Sequence, residues 1–274
     1  MLPLVINAKK KNWLEQLLHI KQYKQLLYVL AYKDIKVKYA QTYIGIFWSF
    51  LNPIITTIVI TFVFKKVGAV KTGGFPHTLF TLTGMIGWVY ISTVIQTAGT
   101  ALIGAQDMVK KIYFPRLIIP LSKALSALVS LVIMFICLFV AMYIYQIPPS
   151  PTIIYLPLFL LMAVITALGI GFWVSALSIR FRDLIHTIPI LLRIGMFITP
   201  IGYSARQIRG LHGWIEFLYY FNPLTGIIES IRWSILGVKN FHPYSWISFS
   251  IGALLFLTGI FYFFKMERKI ADLI

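Results

Sequence analysis

Residues 36–64 read KVKYAQTYIGIFWSFLNPIITTIVITFVF, and this stretch indicates the class of protein. It begins with lysines and then contains no charged residue over positions 39–64. Because about 20 apolar residues cross the hydrocarbon core of a bilayer, the stretch predicts a transmembrane helix. Gly45, Asn52 and Pro53 usually interrupt an apolar helix. We expect a bend at Asn52–Pro53 in mid-membrane, which favours the wall of a transport pathway over a plain anchor.

The composition of the whole chain agrees with this interpretation. Of 274 residues, 59% are hydrophobic and only 12% are charged. A soluble domain of this length needs more charged surface, so most of the chain must face lipid or other apolar helices. The net charge of +17 comes from short basic clusters between apolar runs. That pattern is typical of contacts with anionic headgroups and indicates no nucleic-acid partner.

Intervals without charge predict six transmembrane helices and an all-α integral membrane protein. They lie at residues 39–64, at about 77–100, within 124–179 on either side of the turn QIPPSP (146–151), at 184–205 and at 240–264. Lysines and arginines concentrate at both ends of the chain and in the second and fourth loops, so both termini are predicted to be cytoplasmic.

Residues 1–38 form a separate N-terminal unit in this prediction, and residues 39–274 form the transmembrane domain. Apolar residues alternate with lysines in the first unit, which predicts an amphipathic helix at the membrane surface rather than a cleavable signal peptide. A solvated helix that touches a partner is the alternative.

Residues 206–239 are too polar for a further span and too apolar for a plain loop. Asn222 is a good N-cap and Pro223 suits the first helical position, so two short helices are predicted on either side of them. We interpret the pair as a re-entrant hairpin that acts as a gate, since backbone can turn inside a membrane only when protein or a wet cavity surrounds it. Two helices resting on the outer surface are the alternative. The candidate gate residues are Trp214, Phe217, Tyr220, Asn222, Pro223, Glu229 and Arg232.

The sequence contains no recognisable catalytic, nucleotide-binding or metal-binding motif. It contains no Walker lysine motif, its five histidines are scattered, and its eight acidic residues do not pair as acid and base. Cys137 is the only cysteine and lies in an apolar run, where a packing role is expected. We therefore predict no catalytic residue, no metal site and no enzyme activity in this chain.

Five stretches carry a resemblance to a known family. They are KDIKVKYAQTYIGIFWSFLNPI (33–54), KIYFPRLIIPLS (111–122), IRFRDL (179–184), FITPIGY (197–203) and YYFNPLTGIIESIR (219–232). Together, over about residues 25–270, they resemble the permease subunits of ABC-2-type exporters of polysaccharides and polyol phosphates.

The resemblance implies a six-span half-transporter in the cytoplasmic (inner) membrane of a bacterium. Such a subunit forms a homodimer, binds two separate ATP-binding cassette subunits that hold ATP and Mg, and exports a lipid-linked polysaccharide. O antigen is our first expectation for the cargo. Teichoic acid, capsule and a small drug or lipid are the alternatives.

Under this resemblance, the two cytoplasmic loops are the candidate ATPase-coupling elements. The first, GAQDMVKKIYFPRL (104–117), is predicted to begin a helix near Gln106 that Pro115 ends. Membrane orientation alone explains the basic residues, but it does not explain exposed aromatic residues, which a docking groove would use. The surface helix at 12–32 is a third candidate contact. The coupling candidates are Asp107, Lys110, Lys111, Tyr113, Phe114, Arg116, Arg180, Phe181, Arg182 and Asp183.

Aromatic residues in spans one and five are the candidate glycan pathway, because sugar rings stack on aromatic planes; packing against lipid is the alternative. Pro200 is expected to bend span five. Arg193 is the only charge in that span, and it could reach back to the headgroups, pair with Glu229 or line the pathway and meet a pyrophosphate. The pathway-lining role is our hypothesis. The pathway candidates are Tyr43, Phe47, Trp48, Phe50, Phe197, Tyr203 and Arg193.

Two other classes of membrane protein fit the sequence less well. A secondary transporter would be expected to show internal repeats and buried acidic ligands, whereas the six predicted spans contain no Asp or Glu. A scaffold without transport would not need the prolines in mid-span or the re-entrant segment.

Overall fold

A computed structural model describes residues 21–39, 45–67, 72–112, 114–205, 213–238 and 241–273. Within these ranges the chain forms helices and no β-strand. The α-helices are α1 (Lys24–Tyr39), α2 (Gly45–Phe62), α3 (His77–Gly104), α4 (Gln106–Lys111), α5 (Ile118–Ile144), α6 (Leu156–Arg180), α7 (Leu184–Ile198), α8 (Gly213–Tyr219), α9 (Pro223–Leu236) and α10 (Ser245–Leu273). Short 3-10 turns at Lys21–Tyr23 and Pro151–Tyr155 precede α1 and α6, and a π-helical turn at Val63–Val67 follows α2.

Five of the described helices are long and apolar enough to cross a membrane. Their candidate spans are Phe47–Lys65, His77–Gly104, Ile118–Ile144, Pro151–Arg180 and Ser245–Glu267. The prediction of an all-α, multi-pass membrane protein is confirmed. Pro53 lies inside α2, and the helix continues through it to Phe62.

The predicted fifth span, 184–205, is wrong in its last seven residues. Helix α7 ends at Ile198 after 15 residues, a length of roughly 22 Å against a hydrocarbon core of about 30 Å. Thr199 is extended (φ −85°, ψ 143°) because the residue before a proline avoids the helical conformation. Pro200 therefore follows the helix rather than bending it.

Helix α3 forms the centre of the bundle and α2 lies at its edge. In its most apolar window, 78% of the α3 residues are buried, against 11% for α2. Helix α3 contacts α5, α6, α7 and α9, and α6 packs on α10 as well as on α3. The α6–α10 contact is close because glycines form it: a Cβ on Gly169 would lie 2.5 Å from the backbone nitrogen of Phe256. Because α2 lies at the edge of the bundle, most of its apolar surface is uncovered within one copy of the chain.

The N-terminal helix packs against the beginning of α5. Lys123 Nζ lies 2.8 Å from both carboxylate oxygens of Asp34, and Lys38 Nζ donates to Ser130 Oγ at 3.2 Å. Helix α1 is thus attached to the bundle by an ion pair and a hydrogen bond. Residues 1–20 of the predicted N-terminal helix lie outside the described residues.

Candidate functional site

The two helices predicted within 206–239 are present as α8 and α9. Asn222 Oδ1 accepts a hydrogen bond from Leu224 N at 3.0 Å, and Pro223 occupies the first helical position, as predicted. Gly237 ends α9 in the left-handed conformation (φ 66°) that glycine adopts without strain. Trp214 and Phe217 on α8 are exposed.

Helix α9 lies inside the protein rather than on its surface. Ile227, Ile228, Ile231 and Ile235 are fully buried, as their helical spacing predicts. The opposite face is buried as well, because α9 contacts α3, α6 and α10. At its carboxyl end, Ile235 O accepts a hydrogen bond from Ser150 N at 2.9 Å. This position next to the turn at 146–151 agrees with a hairpin packed within the protein.

Arg232 is the most enclosed charged side chain of the described residues, with an exposed fraction of 1%. Its Nη2 donates to the carbonyls of Pro200 and Ile201 at 2.7 and 2.8 Å. Its Nη1 donates to Glu229 Oε1 at 3.0 Å, and its guanidinium lies 3.8 Å from the ring centroid of Phe80. A planar group with a fork of donors suits several fixed acceptors at once. One side chain of α9 therefore binds α3 and the backbone that follows α7.

Glu229 completes this arrangement. Its Oε1 also accepts a hydrogen bond from Ala205 N at 2.8 Å. Glu229 therefore binds Arg232. The pairing of Glu229 with Arg193, one of the three possibilities considered for Arg193, is not present in the described part of the chain. The two charges neutralise each other, and their other polar atoms form hydrogen bonds to the two ends of segment 199–205. Such additional hydrogen bonds are what offset the cost of burying an ion pair.

Three further polar side chains hold the carboxyl end of α7: one in segment 199–205, one on α8 and one at the N-cap of α9. The hydroxyl of Tyr203 donates to Ile198 O at 2.8 Å, and the hydroxyl of Tyr219 contacts both Tyr203 and Ile198. Asn222 Nδ2 donates to Thr199 Oγ1 at 3.3 Å. We call this set the outer polar cluster; its members are Thr199, Tyr203, Tyr219, Asn222, Glu229 and Arg232.

Gly84 on α3 provides the space for the outer polar cluster. A Cβ at this position would lie 2.7 Å from Arg232 Nη2 and 2.8 Å from the carbonyl oxygen of Ile201. Neither this glycine nor the Asp34–Lys123 pair was predictable from the sequence, because neither belongs to a recognisable local motif.

The predicted pathway residues are divided among different environments. Phe47 and Trp48 on α2 are exposed, as are Arg193 and Phe197 on α7, and Phe50 is half-buried. Tyr203 belongs to the outer polar cluster instead. Tyr43 lies outside the described residues.

Helix α2 meets segment 199–205 at one end. The rings of Phe64 and Tyr203 are 5.3 Å apart, and a Cβ on Gly202 would lie 2.7 Å from Ile60. The exposed aromatic faces of α2 and α7 are therefore linked through this segment.

The coupling candidates lie at the other end of the bundle. Helix α4 begins at Gln106, as predicted, but ends at Lys111, since Ile112 is already extended. Gly99 near the end of α3 lies against Val174 of α6 and Ile188 of α7, so the loops at 104–117 and 180–184 share one end. The exposed coupling candidates are Asp107, Lys110, Lys111, Arg180, Phe181, Arg182 and Asp183.

Phe114 is a correction to the predicted coupling set. Its exposed fraction is 5%, and it belongs to the main hydrophobic core. Phe181, by contrast, is 50% exposed, with the Arg180 guanidinium 5.2 Å from its ring centroid. Arg116 is also bound within the chain, because its Nη1 donates to the carbonyl of Glu267 at 2.7 Å. Tyr113 lies outside the described residues.

Among the described residues, five helices are long and apolar enough to cross a membrane. Together with a buried polar cluster at one end of the bundle and exposed basic loops at the other, they have the features of a membrane transport subunit. The ABC-2 type transporter family model matches residues 25–236, and the chain belongs to that family. The resemblance drawn from the five sequence stretches is confirmed at this level.

Comparison with curated proteins gives relatives of similar length. Two O-antigen export system permease proteins RfbA of Klebsiella pneumoniae are 28% and 29% identical to this chain, covering 91% of it and 95% of each relative. The O-antigen export system permease protein RfbA of Myxococcus xanthus is 26% identical, covering 77% of this chain and 80% of that relative.

Proposed function

We propose that this chain is the permease subunit of an ATP-driven exporter that moves a lipid-linked cell-surface polysaccharide across the cytoplasmic membrane of a bacterium. O antigen is the first candidate for the cargo. The observation that carries the proposal is the similarity to two O-antigen export permeases over 91% of the chain, which includes both ends of the bundle.

A second copy of the chain is the proposed partner for α2 and α7. Both helices present apolar side chains that one copy leaves exposed, among them Phe47, Trp48 and Phe197. Exposed apolar surface is satisfied by lipid or by another protein surface. In a homodimer these faces would enclose the pathway, and their aromatic rings would contact the sugars without tight binding.

Arg193 is proposed to line this pathway. It lies nine residues after Leu184, roughly 14 Å along α7, and is exposed within one copy of the chain. Its guanidinium would meet the pyrophosphate of a lipid-linked donor. Arg193→Gln and Arg193→Lys should both reduce export if two phosphate oxygens are bound by the fork. Full export with Lys would indicate a side chain that only reaches back to the headgroups.

Two ATP-binding cassette subunits are the proposed partners at the end that carries α4 and Phe181, and ATP and Mg would be bound there rather than in this chain. An exposed aromatic ring between arginines suits a docking groove better than solvent. Phe181→Ala should therefore lower export and ATPase stimulation at an unchanged level of permease. Phe139→Ala is the matched control, since Phe139 is also an exposed phenylalanine but lies within the span of α5.

Depletion of the chain in its own bacterium tests the cargo. We expect lipid-linked polysaccharide to accumulate inside the cell while its surface form declines, and the sugar composition of the accumulated material identifies the glycan. Isolation of the tagged permease should recover an ATP-binding cassette subunit. Unchanged surface glycans together with sensitivity to a drug would favour the small-molecule alternative.

A further inference from the structure

A cavity of about 750 Å³ lies where α1 crosses the ends of α3 and α5. Its wall also includes Asp107 and Met108 of α4, so it is at the end of the bundle that carries the exposed basic loops. A volume of this size is in the range of small-molecule sites. The cavity is separate from the outer polar cluster and from the exposed faces of α2 and α7.

The α1 wall of this cavity keeps positive charge after internal pairing. Lys123 and Asp34 neutralise each other through their ion pair at 2.8 Å. Lys38 donates to Ser130 Oγ, a neutral acceptor, at 3.2 Å, and Lys33 also lines the wall and is exposed. Beyond the ion pair, the lining residues therefore include two lysines, Lys33 and Lys38, and one acidic residue, Asp107. This excess of positive charge favours an anionic ligand.

Tyr39 adds a donor that the described residues leave unused. Its side chain lines the same cavity, and its hydroxyl oxygen is buried and has no hydrogen-bond partner within the described part of the chain. Buried polar groups are nearly always hydrogen-bonded. An acceptor atom of a ligand next to Lys38 and Tyr39 would satisfy this hydroxyl.

The remaining wall combines hydroxyl acceptors with apolar surface. Thr93 and Thr97 use their hydroxyl protons on carbonyls of their own helix, at 2.6 and 2.7 Å, so their oxygens remain able to accept. Leu30, Val37 and Met108 supply apolar side chains. A ligand that matches all of this carries an anion, polar donors and an apolar part, which describes a phospholipid headgroup with its glycerol.

The level of the cavity in the bundle agrees with such a ligand. It begins at the ends of two candidate spans, at Gly104 of α3 and Ile119 of α5, and extends inward to Thr93 and Ala127. Helix α1 presents exposed Tyr28 and Tyr32 together with its lysines. Tyrosines and basic residues concentrate at the headgroup level of a membrane, where lipid phosphates are present.

We propose that this cavity binds the headgroup of an anionic membrane phospholipid, with Lys38 and Tyr39 donating to its phosphate. The bound lipid would contact α1, α3 and α4 together, and so would connect the N-terminal helix with the loop next to the proposed ATPase-binding end. The inference goes beyond the proposed function and does not depend on which cargo is exported.

Native mass spectrometry of the full-length protein in detergent provides the test. Three probes are titrated: dioctanoyl phosphatidylglycerol, dioctanoylglycerol, which lacks the phosphate, and inorganic phosphate. The variants are Lys38→Gln and Tyr39→Phe; the second keeps the ring and should fold normally. Lys36→Gln and Tyr143→Phe are matched controls, because both residues are exposed and neither lines the cavity.

We expect phosphatidylglycerol to bind at least about tenfold more tightly than dioctanoylglycerol, because a hydrogen bond to a charged group contributes that much. Each cavity variant should lose about tenfold in affinity for phosphatidylglycerol, and the controls should be unchanged. Equal binding of dioctanoylglycerol, or an unchanged affinity in Tyr39→Phe, would overturn the phosphate assignment. Binding of inorganic phosphate as tight as that of phosphatidylglycerol would overturn the lipid as its source.

Discussion

Replacement of Arg232 by methionine removes a buried cation while leaving its partners in place. The guanidinium makes three short hydrogen bonds, to Pro200 O, Ile201 O and Glu229 Oε1, at 2.7, 2.8 and 3.0 Å. Each bond to a charged group contributes about 1.5–3 kcal/mol. These values do not simply add, and breaking a buried ion pair typically costs about 3–5 kcal/mol. We therefore expect Arg232→Met to lower the free energy of unfolding by about 3–5 kcal/mol.

Lysine at position 232 should give an intermediate result. It keeps the positive charge opposite Glu229 but loses the planar fork that reaches two carbonyls at once and stacks over Phe80. Loss of one charge-assisted hydrogen bond corresponds to about 1.5–3 kcal/mol. The Glu229→Leu variant and the Arg232→Met/Glu229→Leu double variant complete a cycle, in which the double variant should be less destabilised than the sum by about 1–3 kcal/mol.

Unfolding of the purified protein in mixed micelles by increasing SDS measures these differences, with tryptophan fluorescence and circular dichroism as separate probes. Arg182→Met is the matched control, because Arg182 is exposed and its loss should change stability by less than about 0.5 kcal/mol. An Arg232→Met variant that unfolds at the control's midpoint, or two positions without coupling in the cycle, would contradict a stabilising role of this ion pair.

Three further predictions use different contacts. Gly84→Ala should destabilise the protein because its Cβ would lie within 3 Å of the outer polar cluster, whereas Gly104→Ala on the same helix meets nothing within 4 Å; equal SDS midpoints for the two variants would contradict this. Phe114→Ala should lower the free energy of unfolding by about 3–5 kcal/mol as a core truncation, and a stable variant with a defect in ATPase coupling alone would restore the surface role predicted from sequence. Cysteines at Pro149 and Asp183, with the native cysteine replaced, should react with a membrane-impermeant thiol reagent from opposite sides of the membrane, the first from outside; labelling from the same side would exclude the predicted topology.

Local signals in the sequence predicted local structure well. Asn222 and Pro223 predicted the start of α9, and Gln106 predicted the start of α4. Each of these depends on residues within one or two helical turns, where capping chemistry and periodicity act directly.

Features that depend on distant contacts were not predictable in the same way. Phe114 and Phe181 both neighbour basic residues in loops of similar composition, so sequence gave them the same role. Only the packing of the bundle separates them, by burying the first and exposing the second. The hydrogen-bond acceptors of Arg232 could not be predicted from the sequence either, because they are backbone carbonyls and any residue at positions 200 and 201 would provide them.

The early end of α7 and the buried charge on α9 are parts of one arrangement. Beyond Thr199, whose N–H still donates to Gly195 O at 3.0 Å, Pro200 stops the helix and the backbone groups of the segment leave the helical hydrogen-bond pattern. Buried backbone outside a helix persists only when other protein groups bind it. Arg232 binds the carbonyls at the beginning of the segment, and Glu229 binds the amide at its end. The charged pair on an otherwise uncharged helix therefore binds backbone groups that the early end of α7 leaves outside the helix, and substitutions in the segment and in the pair should affect stability non-additively.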